Sequence, residues 1–416
     1  ITELAGPIAA TVRGQKEITT PLVMELSADS VTCSLGGSRV TLKEGQWSDW
    51  IQLKFSLGLM SSVKGICKIH LQKLYPAFAL YVTPIHVDPE SYTFPISSPY
   101  DYAQDLQIAL GGHYATLGMP EEANSMNDDV IDEDAFLLHA DTLMREREKM
   151  FNHALSKFKE GILACVFDTT DRVQHMFWRF LDKSHPFYDE KQADKYRGVI
   201  PDYYRRMDKI VASVMKTISD DTLLLICSDH GFSSFKKEVH LNAWLVQNGF
   251  MTLKDGEKEC RGLFDNVRWA GTKAYAVGFN SIYLNRVGRE KEGIVTAAEM
   301  ESTKKSLIDK LSAFMDHGVR IVSNIYDTKA LYGGESLFHQ PDLIVGYHKH
   351  YRTASPSAIG QIKAGPLVRD NLKRWSGDHC SDADFVPGIF FSNQKNLPAK
   401  LSVLDVAPLI GGYLSP

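Results

Sequence analysis

A chain of 416 residues, 44% hydrophobic and 23% charged, has the composition of a globular protein long enough for more than one domain. A formal net charge of −5, with no block of Lys and Arg, excludes the electrostatic footprint expected of a nucleic-acid-binding protein. No apolar run approaches the roughly 20 residues needed to cross a bilayer, so no membrane segment is expected in these residues.

The first nineteen residues, beginning "ITELAGPIAA", show neither an initiator Met nor a clear first element, and the chain stops at "VLDVAPLIGGYLSP", just past a helix-like segment. Residues 1–19 therefore read as the remnant of a longer N-terminal region. Residues 20–87 carry strand signals, among them "PLVMEL", "SVTCSLG", "SRVTLKEG", "DWIQLKFSL", "KGICKIHLQKL" and "FALYVTPIHV". Alternation of apolar and polar residues, broken by Gly, Ser, Asp or Pro, predicts an antiparallel β accessory domain. A Pro-rich connector, "DPESYTFPISSP", leads into a mainly helical stretch, so that 88–160 reads as connector and helices. Within it, "DEDAFLLHADTLMREREKMFNHALSKF" has helical periodicity and an acidic start that suits a helix N-terminus.

From 161 to 416, short apolar runs such as "ILACVF", "TLLLICS", "SIYLN", "DLIVGY" and "GIFFS" alternate with helical patterns such as "RVQHMFWRFL" and "YYRRMDKIVASVMKTI". Strands apolar along their whole length and spaced by helices predict an α/β core with a mostly parallel sheet covered by helices on both faces. Six cysteines are scattered with no C-x-x-C pair, which argues against a thiolate zinc site and a disulfide framework. Cys165 and Cys227 lie in apolar runs and read as buried free thiols, favouring a reducing, cytoplasmic compartment.

Three acidic–histidine groups fall at the expected strand ends or in adjoining loops, where ligands gather in such a sheet. In "FDTTDRVQH", Asp171 and His175 are four apart and share one helical face. In "SDHGF", a turn at Gly231 can bring Asp229 and His230 to one ion. In "SGDHCSDADFVPGIFF", His379 precedes another apolar run. Singly, each has an ordinary structural explanation as a cap, a packed helix residue or a loop residue. Together they offer ligands for two divalent ions about 4 Å apart, a spacing that can hold the attacking and leaving oxygens of a displacement at phosphorus. Imidazole and carboxylate without thiolate suit zinc, with manganese or iron as substitutes. Asp378 and Asp382 flank His379 and read as groups that orient it. His185, Trp178 and Trp244 read as packing residues.

The motifs "DRVQH", "SDHGF" and "GDH", in this order, resemble the alkaline phosphatase superfamily and, within it, the type I phosphodiesterase/nucleotide pyrophosphatase branch. "TTDRVQHMFWRFLDKSHP" and "SDHGF…VHLNAWL" look like its predicted phosphohydrolase/phosphomutase group, and the likeness extends to "WSDWIQLKF", "YVTPIHVDP", "GTKAYAVG" and "YLNRVGRE". The resemblance implies an alkaline-phosphatase-like fold for 161–416 and a hydrolase that acts on a small phosphate ester or nucleotide. It assigns Asp171, His175 and His379 to one zinc and Asp229 and His230 to the other, and His240, like His185, matches a position that recurs in the group and could meet the substrate. Arg172, next to a ligand, could meet a substrate phosphate. It also implies a Thr or Ser nucleophile and one more Asp ligand near the N-terminus of the complete protein. Neither finds a match here, so the piece alone is expected to be inactive. A phosphomutase or sulfatase of the same superfamily, and a non-catalytic metal-containing binding module, are the rival readings.

Overall fold

A computed structural model of the chain describes residues 1–5, 18–56, 62–333, 339–395, 397–398 and 400–414. The chain divides into two compact units, Ile1–Val173 and Gln174–Pro416, and the division falls inside the helix Thr169–Phe177.

In the first unit, strands Thr2–Ala5, Thr19–Leu26, Val31–Leu35 and Ser38–Leu42 form an antiparallel sheet in that order. A second antiparallel sheet joins Ile51–Ser56, Ser62–Cys67 and His86–Val87, and Ile69–Lys73 pairs with Ala79–Val82. The alternation in the sequence is the cause. Val31, Cys33 and Leu35 are buried while Thr32 and Ser34 are half-buried, and Ile51, Leu53 and Phe55 repeat the pattern. These side chains share one core with Leu22, Ile69 and Leu71. Each large apolar residue there is worth about 2–5 kcal/mol against truncation to Ala.

Helices Tyr102–Leu110, Ala123–Asn127 and Glu133–Lys157 follow. The long one starts at Asp132, whose carboxylate accepts a hydrogen bond from the Ala135 N–H at 2.8 Å. Glu133 and Asp134 add negative charge at its positive end. Phe136, Ala140, Leu143 and Met144 form its buried stripe at spacings of three and four.

The run "ILACVF" that precedes the helix Thr169–Phe177 is not a strand. Ile162 and Val166 are exposed, and Cys165 is only half-buried, so the expected buried strand and buried thiol are both corrected. Cys227 is likewise exposed, at the end of the strand Leu225–Cys227. An apolar run records that a segment prefers burial; without neighbours on both faces the preference goes unmet.

In the second unit, the main sheet has the order Ala274–Ala276, Ser281–Leu284, Leu343–Tyr347, Val322–Asp327, and every pairing in it is antiparallel. Lys237–Val239 pairs parallel with Tyr351–Thr353 and antiparallel with Val368–Asp370. Leu225–Cys227 pairs antiparallel with Phe390–Ser392. The sheets are thus almost entirely antiparallel, which overturns both the mostly parallel sheet that the apolar runs predicted and the alkaline-phosphatase-like sheet that the resemblance implied. The physical reason lies in what apolarity encodes. Leu343–Tyr347 is apolar because it is buried along nearly its whole length, and a strand buried on both faces reads the same in either direction. Its core joins Ile282, Leu284, Leu343 and Val345 to Trp244 and Leu245 of the helix Leu241–Gln247 and to Leu307 and Leu311 of Met300–Ser312. Among the described residues no helix is long and apolar enough to cross a membrane.

Candidate metal centre

The helix Thr169–Phe177 is anchored by its apolar face. Val173, Met176 and Phe177 are buried, as is Phe180 just beyond it. Thr169, at its first turn, donates its hydroxyl to Glu121 Oε1 at 2.9 Å. Burial, and then the charge of Asp168, push Glu121 up to about 7. Asp171, in the same first turn, and His175, one turn on, project from this helix, so helix geometry alone sets their separation.

His379 arrives by a short ladder. Ser233–Ser234 pairs antiparallel with Gly377–Asp378, with Ser233 opposite Asp378. That register sets Phe232 against His379 and draws "SDHGF" and "GDH" to one place. Gly377 is required at this crossing, because a Cβ there would stand 2.4 Å from the Gln174 carbonyl oxygen. Gly231 is required for a similar reason, since its Cβ would stand 2.5 Å from the Pro387 carbonyl oxygen. The strand edge is fastened to the helix by the Ser376 N–H, which donates to the His175 carbonyl at 2.7 Å.

One carboxylate oxygen of Asp171 and one ring nitrogen each of His175 and His379 lie within 4.8 Å of one another. His230 joins them through a parallel ring stack on His379, with centroids 3.6 Å apart, and Asp229 Oδ2 lies 3.5 Å from His230 Nε2. Asp229 itself is largely exposed. The structure therefore gathers all five residues that the motifs singled out, three in one tight group and two alongside.

The surroundings suit metal ligation. His175 Nδ1 lies 2.7 Å from the Gly377 carbonyl oxygen; donating there puts the proton on Nδ1 and the lone pair on Nε2, the tautomer a ligand needs. Phe232 packs against His175, His230 and His379, and Trp375 lies against His175 at 3.9 Å. Burial would raise Asp378, but Arg352, the neighbouring His175 and the Cys380 N–H hold it down to about 2. Asp378 also accepts from Trp375 Nε1 at 2.8 Å and so ties the loop of His379 to the ring beside His175. Asp382 accepts from Asn324 Nδ2 and from the Tyr326 hydroxyl, fixing the far side of that loop. Burial lowers the pKa of His379, which favours the neutral, ligating ring.

Arg172 lies beside the group, with Nη1 2.7 Å from Asp171 Oδ2. His240 does not: it is buried at the start of Leu241–Gln247, among Arg369, Glu238, Lys363 and Lys373. His185 works as a staple, donating from Nε2 to the Phe235 carbonyl at 2.8 Å while Nδ1 accepts from the Phe187 N–H. Trp244 is core, and Trp178 is half-buried against Phe232. Phe232, Trp375 and Arg352 were missed in the sequence. The only signal was the closeness of the two aromatics to the motif histidines.

A second group with metal-ligand chemistry lies in the first unit, where atoms of Asp88, Glu90 and His113 also come within 4.8 Å of one another. Both groups are consistent with use of divalent metal ions.

The family model for type I phosphodiesterase/nucleotide pyrophosphatase matches residues 79–361, a span that includes Asp171, His175, Asp229 and His230. The chain belongs to that family and is a hydrolase acting on phosphate esters. No curated protein and no solved structure matches it.

Proposed function

We propose that Asp171, His175 and His379 hold one divalent ion and Asp229 and His230 a second, zinc first and manganese or iron as substitutes, and that the centre cleaves a phosphoester or pyrophosphate bond in a small phosphate ester or nucleotide. The observation that carries this is the convergence of Asp171, His175 and His379 within 4.8 Å. It is built on a contact between His175 and the Gly377 loop that spans 202 positions of sequence. The donor set fits: hard carboxylate and neutral imidazole, with no thiolate in the group. Divalent ions at such a centre supply charge stabilisation for the attacking and leaving oxygens of a displacement at phosphorus.

The residues themselves contribute orientation and charge. The Gly377 carbonyl fixes the His175 tautomer, Asp378 and Asp382 hold the His379 loop, and Phe232 and Trp375 shield the rings from water. Arg172, paired with Asp171 and largely buried, is placed to meet a substrate phosphate oxygen. The nucleophile, a Thr or Ser hydroxyl by resemblance, is carried by none of these five ligands. The test therefore reads metal and turnover separately. Metal content after dialysis against zinc should be at least one equivalent for the chain and should fall in His175→Ala. Hydrolysis of bis(p-nitrophenyl) phosphate, in a form that turns over, should be lost with chelator and restored by zinc. Hydrolysis unaffected by chelator, or full zinc content in His175→Ala, would overturn the proposal.

A further inference from the structure

The first unit contains a cavity of about 480 Å³ whose wall includes Trp50, Lys68, His113, Arg145, Glu146 and Lys149. Such a volume is in the range of small-molecule sites. Lys68 lies between the strands Ser62–Cys67 and Ile69–Lys73 and is only 3% exposed. Among the described residues no hydrogen bond or ion pair engages its ammonium, which sits 5.6 Å from the centre of the Trp50 ring. A buried ammonium without a contacting anion is costly. Burial lowers the Lys68 pKa; Glu146 and Asp49 act against that and Arg145 adds to it.

The carboxylate best placed to pair with Lys68 is already engaged. Glu146 accepts from Trp50 Nε1 at 2.7 Å and from the Ala115 N–H at 3.1 Å. Arg145 and Lys149, one helical turn apart and both exposed, put two more cations around the cavity. The lining thus carries three cations, Lys68, Arg145 and Lys149, against the two carboxylates of Asp49 and Glu146. Of the three, Arg145 has its own partner in Asp141, 3.7 Å away, and Lys68 is the deepest.

We propose that this cavity binds a small oxyanion, a phosphate or a carboxylate group, met by Lys68 within the wall and by Arg145 and Lys149 at the rim. The inference does not rest on the metal centre, because every lining residue lies within 49–149. The test uses the whole chain with chelator present, so that anion binding through metal plays no part. Calorimetric titration with inorganic phosphate should show one saturable site. A charge-assisted hydrogen bond contributes about 1.5–3 kcal/mol, so Lys68→Met should weaken that site by roughly 10–100-fold while Lys68→Arg largely keeps it. Without anion, Lys68→Met should melt no lower than the parent chain, since it removes a buried unpaired charge. Phosphate should raise the melting temperature of the parent chain but not that of Lys68→Met.

Succinate distinguishes the sources: displacement of phosphate by succinate assigns a carboxylate ligand, and failure to displace assigns a phosphate ligand. If Lys68→Met does not fold, the pair Arg145→Gln with Lys149→Gln decides, with an expected loss of about 3–10-fold for two partly exposed charges. No saturable phosphate binding to the parent chain, or unchanged affinity in these variants, would overturn the proposal.

Discussion

Asp171, His175 and His379 are drawn together from a helix and a distant loop, whereas Asp88 and Glu90 are two positions apart in one turn and meet His113 across the first unit. The two groups look alike as inventories of ligand atoms, yet their surroundings differ. Around Asp88 the hydrogen bonds are spent locally. Its carboxylate takes the Glu90 N–H at 2.9 Å and the Gln52 amide at 2.7 Å, and that amide also reaches Glu90 Oε2 at 2.9 Å. Burial would raise the Asp88 pKa, but contacts from His113, the Glu90 N–H and Gln52 bring it below the usual carboxylate range. At the other group the partners orient the rings: the Gly377 carbonyl sets one tautomer, and Phe232 and Trp375 hold the ring planes. Ligand atoms within reach of one another define where an ion fits; the groups behind them decide what the cluster is for.

The comparison can be broken most forcefully at the ligands. Asp171→Asn or His379→Ala should lower zinc affinity, and turnover wherever it is measured, by at least about 100-fold, because a direct ligand matters more than its supporting partners. Asp88→Asn should leave turnover within about 3-fold but cost roughly 1–3 kcal/mol in urea unfolding, the usual result of disturbing buried hydrogen bonds. Equal losses of turnover in both would erase the contrast between the two groups.

A second test uses pH. Glu121, buried beside Thr169 at the start of the ligand helix, has its pKa raised to about 7 from 4.5. The folded chain therefore keeps a proton that the unfolded chain gives up, and this contribution to stability is fully present below about 4.5 and lost as pH rises to about 7. Glu121→Gln cannot ionise, so it should gain on the parent chain by on the order of 2–3 kcal/mol between pH 4.5 and 8, followed by urea denaturation at each pH. A constant difference across that range would show that Glu121 is not held protonated.

Smaller effects sharpen the contrast further. Gly377→Ala must move the helix away from the ladder, at a cost of about 1–3 kcal/mol, and should weaken zinc binding as His175 and His379 separate. Asp132→Ala removes a helix cap in the first unit and should cost about 1 kcal/mol with zinc affinity unchanged.

The sequence made the acidic–histidine motifs legible and the sheet illegible, for separable reasons. The "DRVQH", "SDHGF" and "GDH" motifs are local: spacing of four on a helix, or adjacency at a tight glycine turn, fixes which side chains can share an ion. The strands of 20–87 could be read because one of their faces is solvated, and Val31, Cys33 and Leu35 declare the buried one. In Leu343–Tyr347 both faces are covered, so no alternation remains to indicate its neighbours or their direction. "ILACVF" failed differently, because its apolarity says nothing about whether a partner strand lies beside it. Lys68 could not be read at all. Its significance is that Glu146 is already bonded to Trp50, a fact of three-dimensional competition with no trace in spacing.

The most direct measurement is a calorimetric zinc titration of the chelator-stripped chain beside His379→Ala and Asp88→Asn. The account predicts a tight site in the parent chain, lost in His379→Ala and retained in Asp88→Asn. A tight site that survives His379→Ala and disappears with Asp88→Asn would contradict it, and would place the metal at the turn of Asp88 and Glu90.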